Sequence, residues 1–134
     1  MNNELHPPGG EWVGYYTYKD KPARCPMHLT IQFVSERIRG AGIDNPGQFV
    51  IEGRYDPSTL QAQWVKRYVA KHSVKYQGEY RNGEIRGSWT LTQNHQGREV
   101  WLEGDFCIWP LPADLYSDED SLQYILAEEI RRKT

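Results

Sequence analysis

The residues of this chain best suited to chemistry are Lys66 and two neighbours, Tyr68 and His72. A strand that points Trp64 and Tyr68 into a core also points Lys66 there, because side chains two residues apart share a face. A buried ammonium group then needs a partner. The alternative is a poorly covered edge strand, from which the Lys66 side chain extends into solvent.

An inward Lys66 would lie among aromatic side chains that carry polar groups. Apolar walls with a few donors are the usual composition of a small-molecule site, and a cation among tyrosines suits an anionic or carbonyl-bearing ligand. We therefore predict non-enzymatic binding of a small hydrophobic or amphipathic ligand, with anionic ligands among the candidates. The predicted ligand-binding residues are Lys66, Tyr68, His72, Tyr76, Trp64, Tyr16 and Tyr18.

Signatures of catalysis are sparse. No pair of carboxylates falls on the inward faces of the predicted strands, as glycoside cleavage needs, and there is no Gly-x-Ser-x-Gly turn. The histidines, His6, His28, His72 and His95, are scattered, so we predict no metal site, no cofactor and no catalytic residue. A third function stays open, an isomerase- or cyclase-type enzyme that uses Lys66 as a Schiff base or His72 and Tyr68 for proton transfer.

A short recurring phrase predicts the sheet that would position these residues. Each copy consists of an apolar residue, a spacer, a glycine, a second spacer and usually an aromatic residue. Its copies are Ile51–Tyr55, Tyr76–Tyr80, Ile85–Trp89 and Leu102–Phe106, with a weaker copy at Ile38–Gly42 and a relative at Trp12–Tyr16. With a period of two, the large apolar side chains and the glycine share one face. Mid-strand glycines mark sharp bends or close approaches, so we expect the sheet to curve and close.

Alternation divides residues 11–109 into about eight strands. The connections are short, with Asn82-Gly83 the strongest turn signal, so we predict an all-β, antiparallel up-and-down barrel. The predicted strands are Glu11–Tyr18, Met27–Val34, Arg37–Ile43, Gln48–Tyr55, Leu60–Val69, Val74–Arg81, Glu84–Thr92 and Val100–Trp109. On the last strand, Val100 and Leu102 are expected to point inward. The segment Lys19–Pro26, with two prolines, indicates an irregular rim loop or a lid.

The chain changes character after residue 110. Ser117 is a candidate N-cap, and an apolar stripe at helical spacing follows. A lone helix of this length is not stable in water, so the stripe must dock on its own barrel or on a partner. The predicted organisation is a disordered or extended segment 1–9, a barrel 10–110, and a linker with one C-terminal amphipathic α-helix in 111–134. The stripe consists of Leu122, Ile125, Leu126 and Ile130.

Composition narrows the class of partner. The chain has 16 basic and 18 acidic residues and a net charge of -2, which argues against a nucleic-acid binder. No apolar run is long enough to span a bilayer, and the N-terminus lacks the features of a secretion signal. We expect a cytoplasmic protein in which Cys25 and Cys107 are thiols, with a disulfide as the alternative. A homo-oligomer is compatible with this composition.

Two resemblances add to these predictions. The opening Gly10-Glu-Trp12 and the segment Gly47–Tyr55, within a meander of strands, resemble the calycin superfamily of lipocalins, fatty-acid-binding proteins and avidins. That resemblance implies a barrel with one open end and a small ligand, and a C-terminal helix is compatible with lipocalins. The segment Tyr76–Gly87 is also similar to a MORN repeat, a β-hairpin unit of scaffold proteins.

The competing function is a protein-interaction module that uses the helix stripe or an aromatic barrel rim. The shape of the barrel interior discriminates between the two functions. An interior filled by Trp12, Trp64, Trp89 and Phe106 would disfavour a small ligand inside the barrel and favour an interaction surface.

Overall fold

The computed structural model describes residues 6–69 and 72–111, which form one closed barrel of eight antiparallel strands in chain order. The strands are β1 (Gly10–Tyr18), β2 (Lys21–Val34), β3 (Arg37–Asp44), β4 (Gly47–Asp56), β5 (Gln61–Tyr68), β6 (Ser73–Arg81), β7 (Glu84–His95) and β8 (Arg98–Pro110). The predicted fold class is therefore confirmed. The predicted C-terminal helix lies outside the described residues.

Short hairpins impose the antiparallel order. Asn82 and Gly83 have φ angles of 56° and 78°, the left-handed geometry of the tight turn that their sequence predicts. Ser35 and Glu36 turn in the same way between β2 and β3, with φ angles of 50° and 65°. Pairing of β1 with β8, in which Gly14 lies opposite Ile108, closes the barrel.

The predicted irregular loop Lys19–Pro26 is wrong. The chain reverses at Lys19 and Asp20, and β2 begins at Lys21. Tyr16 lies opposite Cys25 whereas Tyr18 lies opposite Lys21, so β2 bulges between these two pairs. Prolines are tolerated at bulges because no ladder hydrogen bond is lost there. The segment is therefore part of the barrel wall, and the interpretation of it as a lid is wrong for the same reason.

The recurring glycines lie where neighbouring strands approach closely, one of the two situations that the sequence predicts for them. A Cβ atom on Gly53 would lie 1.9 Å from the carbonyl oxygen of Gln63 on the neighbouring strand. A Cβ atom on Gly104 would lie 1.7 Å from the carbonyl oxygen of Thr17. Any other residue type at these positions would force the backbone to move, so the glycines allow neighbouring strands to approach each other closely.

Aromatic side chains fill the interior. One continuous core contains Trp12, Trp64, Trp89 and Phe106, which are all 4% exposed or less. Cys25 packs against this core, whereas Cys107 belongs to a separate buried cluster that includes Val13 and Trp109. The two cysteines are thiols, as predicted, because they lie on opposite faces of the wall.

The two ends of the barrel differ. One end of the barrel, here called the mouth, contains the β1–β2, β3–β4 and β7–β8 turns and the end of β5. The Ser35–Glu36 turn lies at the far end. The β7–β8 hairpin projects beyond the mouth. The prediction that Val100 and Leu102 lie inside is therefore wrong: these side chains are 37% and 36% exposed, because neither β1 nor β6 extends far enough to cover them.

Candidate functional site

Lys66 lies inside the barrel near the mouth. Its side chain is 2% exposed, on the inward face of β5 between Trp64 and Tyr68. Its Nζ atom donates a hydrogen bond to Oδ2 of Asp44 at 2.7 Å. The buried ammonium group thus has the partner that its burial requires.

Asp44 is the residue of this cluster that sequence reasoning missed. It ends β3, where Ile38, Gly40, Gly42 and Asp44 share the inward face. The same period-two alternation could have found it, but the predicted strand Arg37–Ile43 ended one residue before Asp44.

The Asp44 carboxylate is only half satisfied. Its side chain is fully buried, and Oδ2 accepts hydrogen bonds from Lys66 and from the Tyr68 hydroxyl, the latter at 2.6 Å. Its Oδ1 atom is buried and has no hydrogen-bond partner among the described residues. A buried acceptor without a donor costs about 1–3 kcal/mol, so this atom is a place where a donor would bind favourably.

Aromatic rings enclose the ammonium group. The Lys66 Nζ atom lies 4.7 Å from the ring centre of Phe49, 4.8 Å from that of Tyr76 and 4.9 Å from that of Tyr16. A cation within about 6 Å of a ring face is attracted to it. These rings replace part of the hydration that the ammonium group loses inside the barrel.

Burial also sets the protonation of the cluster. Desolvation lowers the pKa of Lys66, and the neighbouring Asp44 carboxylate opposes that change. Burial, together with Asp44, raises the pKa of Tyr16 and of Tyr76. For Tyr68, burial and the hydrogen bond to Asp44 raise the pKa. The hydroxyls therefore keep their protons at neutral pH and serve as donors.

These pKa shifts predict a steep loss of stability in alkaline solution. In the unfolded chain tyrosines ionise near their ordinary pKa of 10.0, whereas Tyr16, Tyr68 and Tyr76 hold their protons in the fold. Each such hydroxyl lowers the free energy of unfolding by about 1.4 kcal/mol per pH unit above that value. Lys66 acts in the opposite sense, but only up to its ordinary pKa of 10.5, so the fall is steepest above it.

The measurement is tyrosinate absorbance recorded together with circular dichroism during an alkaline titration. We expect most of the tyrosinate signal to appear with the loss of the sheet. Ionisation of all the tyrosines before the sheet is lost would contradict buried hydroxyls.

A small cavity adjoins the cluster. Its volume is about 30 Å³, and its lining includes six of the predicted ligand-binding residues, Tyr16, Tyr18, Lys66, Tyr68, His72 and Tyr76. A space of this size holds about two water molecules. The seventh predicted residue, Trp64, is not in this lining and instead stacks on Tyr76, with ring centres 5.5 Å apart.

A larger concavity lies away from this cluster. It measures about 890 Å³ on the outer wall between β1, β7 and β8, and its lining includes Lys19, Arg86 and Glu103. It is open to solvent, and Lys19 and Arg86 are in ion pairs with Glu103 and Glu84. Charges already paired at an exposed surface bind a ligand weakly, so the smaller internal cavity is the better candidate.

Fold and site together define a class: a closed eight-stranded antiparallel β-barrel with a buried, charge-neutral polar cluster at one end. This architecture is consistent with a calycin-like fold in general. No protein-family model matches the chain, and comparisons with curated proteins and with solved structures gave no significant match. In the part of the chain that the structure describes, no helix is long and apolar enough to cross a membrane.

Proposed function

We propose that the mouth of the barrel binds a small neutral ligand that donates a hydrogen bond to Asp44. The observation that carries this proposal is the buried Oδ1 atom of Asp44, which has no donor among the described residues. Asp44 also holds Lys66 and Tyr68, two residues that line the adjoining cavity. A ligand N–H or O–H group at Oδ1 would complete this network.

The charge of the cluster favours a neutral ligand over an anion. Asp44 neutralises the Lys66 ammonium group at 2.7 Å, so the pair carries no net charge. An anion would meet the second oxygen of the same carboxylate. The tyrosine hydroxyls nearby offer donors for a ligand carbonyl, so a primary amide or a cyclic amide has the right combination of groups.

The packed interior limits the size of the buried part of the ligand. Trp12, Trp64, Trp89 and Phe106 fill the interior, so a ligand held wholly inside the barrel, as the sequence predicted, is disfavoured and an interaction surface is favoured. A cavity of about 30 Å³ takes only the polar end of a ligand, with the rest lying at the mouth against Pro46 and His72. Lipocalin or avidin membership remains part of this proposal, supported by the barrel architecture and by the sequence resemblance.

An isosteric pair of probes tests the ligand class. Benzamide donates hydrogen bonds and is neutral, whereas benzoate is an anion of the same shape. We expect ligand-observed NMR titrations to show at least tenfold tighter binding of benzamide. The variant Asp44→Asn leaves the Lys66 charge unpaired, so it should bind benzoate in preference to benzamide.

The matched control is Tyr80→Phe, which removes the hydroxyl of a tyrosine near the far end of the barrel. It should bind both probes as the wild-type protein does. Equal affinity of the wild-type protein for the two probes, or binding of neither, would remove the proposal. Native mass spectrometry of the purified chain would detect a retained cellular ligand directly.

A further inference from the structure

The β7–β8 hairpin carries a projecting segment, residues Thr92–Leu102, here called the arm, that no other strand among the described residues covers. Pairing of β7 with β6 ends at Thr90, and pairing of β8 with β1 ends at Gly104. Beyond those residues, in the described part of the chain, the two strands pair only with each other, up to the turn at Gln96 and Gly97. An isolated two-stranded ribbon is marginal in water, so packing against another surface would stabilise the arm.

The arm has an apolar inward face. Leu102 and Val100 continue the face that Phe106 presents to the core, and they are 36% and 37% exposed. The arm extends about 16 Å from Leu102 to its turn, at the usual rise of a strand. Leu102 and Val100 form the apolar part of this face, and Arg98 follows them next to the turn.

A second exposed apolar surface lies on the outer wall beside the mouth, here called the wall patch. It consists of Ile43 on β3, Val50 on β4 and Val69 just after β5, with exposures of 51%, 49% and 67%. Ile43 lies opposite Gln48 and the Val69 amide donates to the Gln48 carbonyl, so Ile43 and Val69 flank Gln48, and Val50 is the next outward residue along β4. Contiguous apolar patches on a surface commonly mark contacts with another protein.

The positions of the arm and the wall patch are related by half a turn of the barrel. The arm rises between β7 and β8, and the wall patch is centred near β3 and β4, four strands away in a closed ring of eight. We infer that two copies of the chain associate mouth to mouth about a two-fold axis perpendicular to the barrel axis. Each arm then packs on the wall patch of the other copy, which is a closed, self-complementary contact.

The spacing of charged residues supports a second copy of the chain as the partner of the arm and the wall patch. Along the arm, Leu102, Val100 and Arg98 follow one face at intervals of two, and along β4 the outward face runs Val50 and then Glu52, away from the mouth. An arm lying along β4 brings Arg98 beside Glu52. Both are exposed, and neither forms an ion pair within the described residues. An arm folded over its own mouth would leave the wall patch uncovered.

Sedimentation velocity on the full chain tests the contact through paired variants. We expect the wild-type protein to be a dimer. Val100→Asp on the arm and Val50→Asp on the wall patch should each weaken dimerisation at least tenfold, with unchanged circular dichroism. Val34→Asp is the matched control, because Val34 is an exposed apolar residue at the far end, 64% accessible, and its substitution should leave the dimer intact.

A charge exchange tests the register of the arm. Arg98→Glu and Glu52→Arg should each weaken the dimer, and the double variant should recover most of the loss. A wild-type monomer at every concentration, an assembly that grows beyond dimers, or an equal effect of Val34→Asp and Val50→Asp would overturn the inference. Failure of the benzamide titration would not, since the contact does not depend on a ligand.

Discussion

Replacing Lys66 with methionine should lower the free energy of unfolding by about 3–5 kcal/mol, the usual cost of removing one partner from a buried ion pair. The substitution keeps the length and apolar contacts of the side chain among the surrounding rings but removes the ammonium group. The Asp44 carboxylate, with its side chain fully buried, would then hold a negative charge that, among the described residues, only the Tyr68 hydroxyl supports. Chemical denaturation followed by circular dichroism measures the loss.

The double variant Lys66→Met with Asp44→Asn separates the lost charge from the lost packing. It removes both charges and leaves an amide oxygen that still accepts the Tyr68 hydrogen bond, so most of the stability should return. This outcome is expected because neutral replacements of a buried pair are often tolerated. A loss below about 1 kcal/mol for Lys66→Met alone would mean that water, not Asp44, solvates the ammonium group.

The wall of the barrel could be predicted from the sequence because its determinants are local. Alternation places Trp12, Trp64 and Phe106 on one face, and each mid-strand glycine coincides with a close approach of the neighbouring strand. The inward position of Lys66 follows from its neighbours in the same way. The identity of its partner depended on where β3 ends. A residue in the last position of a strand has the same local sequence signals as the first residue of a turn.

The projecting arm could not be predicted from alternation. Periodicity reports which face a side chain is on, not how many strands flank it, and Val100 and Leu102 alternate like core residues. Their exposure depends on where β1 and β6 stop, at Tyr18 and Ser73, which is a property of other segments of the chain. The bulge in β2 was hidden for a related reason, since prolines indicate loops unless a bulge accommodates them.

A substitution at Gly53, where β4 and β5 approach closely, should lower the stability of the fold nearly as much as the loss of the ion pair. In Gly53→Ala the new methyl group would lie 1.9 Å from the Gln63 carbonyl oxygen and 2.5 Å from the Cα atom of Trp64. Both atoms belong to the backbone of β5, so no rotamer change can relieve the overlap and the two strands must separate. We expect a loss of about 3 kcal/mol, at the upper end of the cost of overpacking.

The matched control is Gly83→Ala in the β6–β7 turn. Gly83 has a φ angle of 78°, and no atom lies within 4 Å of the position that its Cβ would take. That substitution costs only the left-handed backbone of a non-glycine residue, about 1 kcal/mol. Unfolding in denaturant should therefore rank Gly53→Ala well below Gly83→Ala in stability. Since β5 also carries Lys66, separating β4 from β5 should weaken benzamide binding in Gly53→Ala but not in Gly83→Ala. Equal stability of the two variants would mean that the two strands can separate at Gly53 at no cost in free energy.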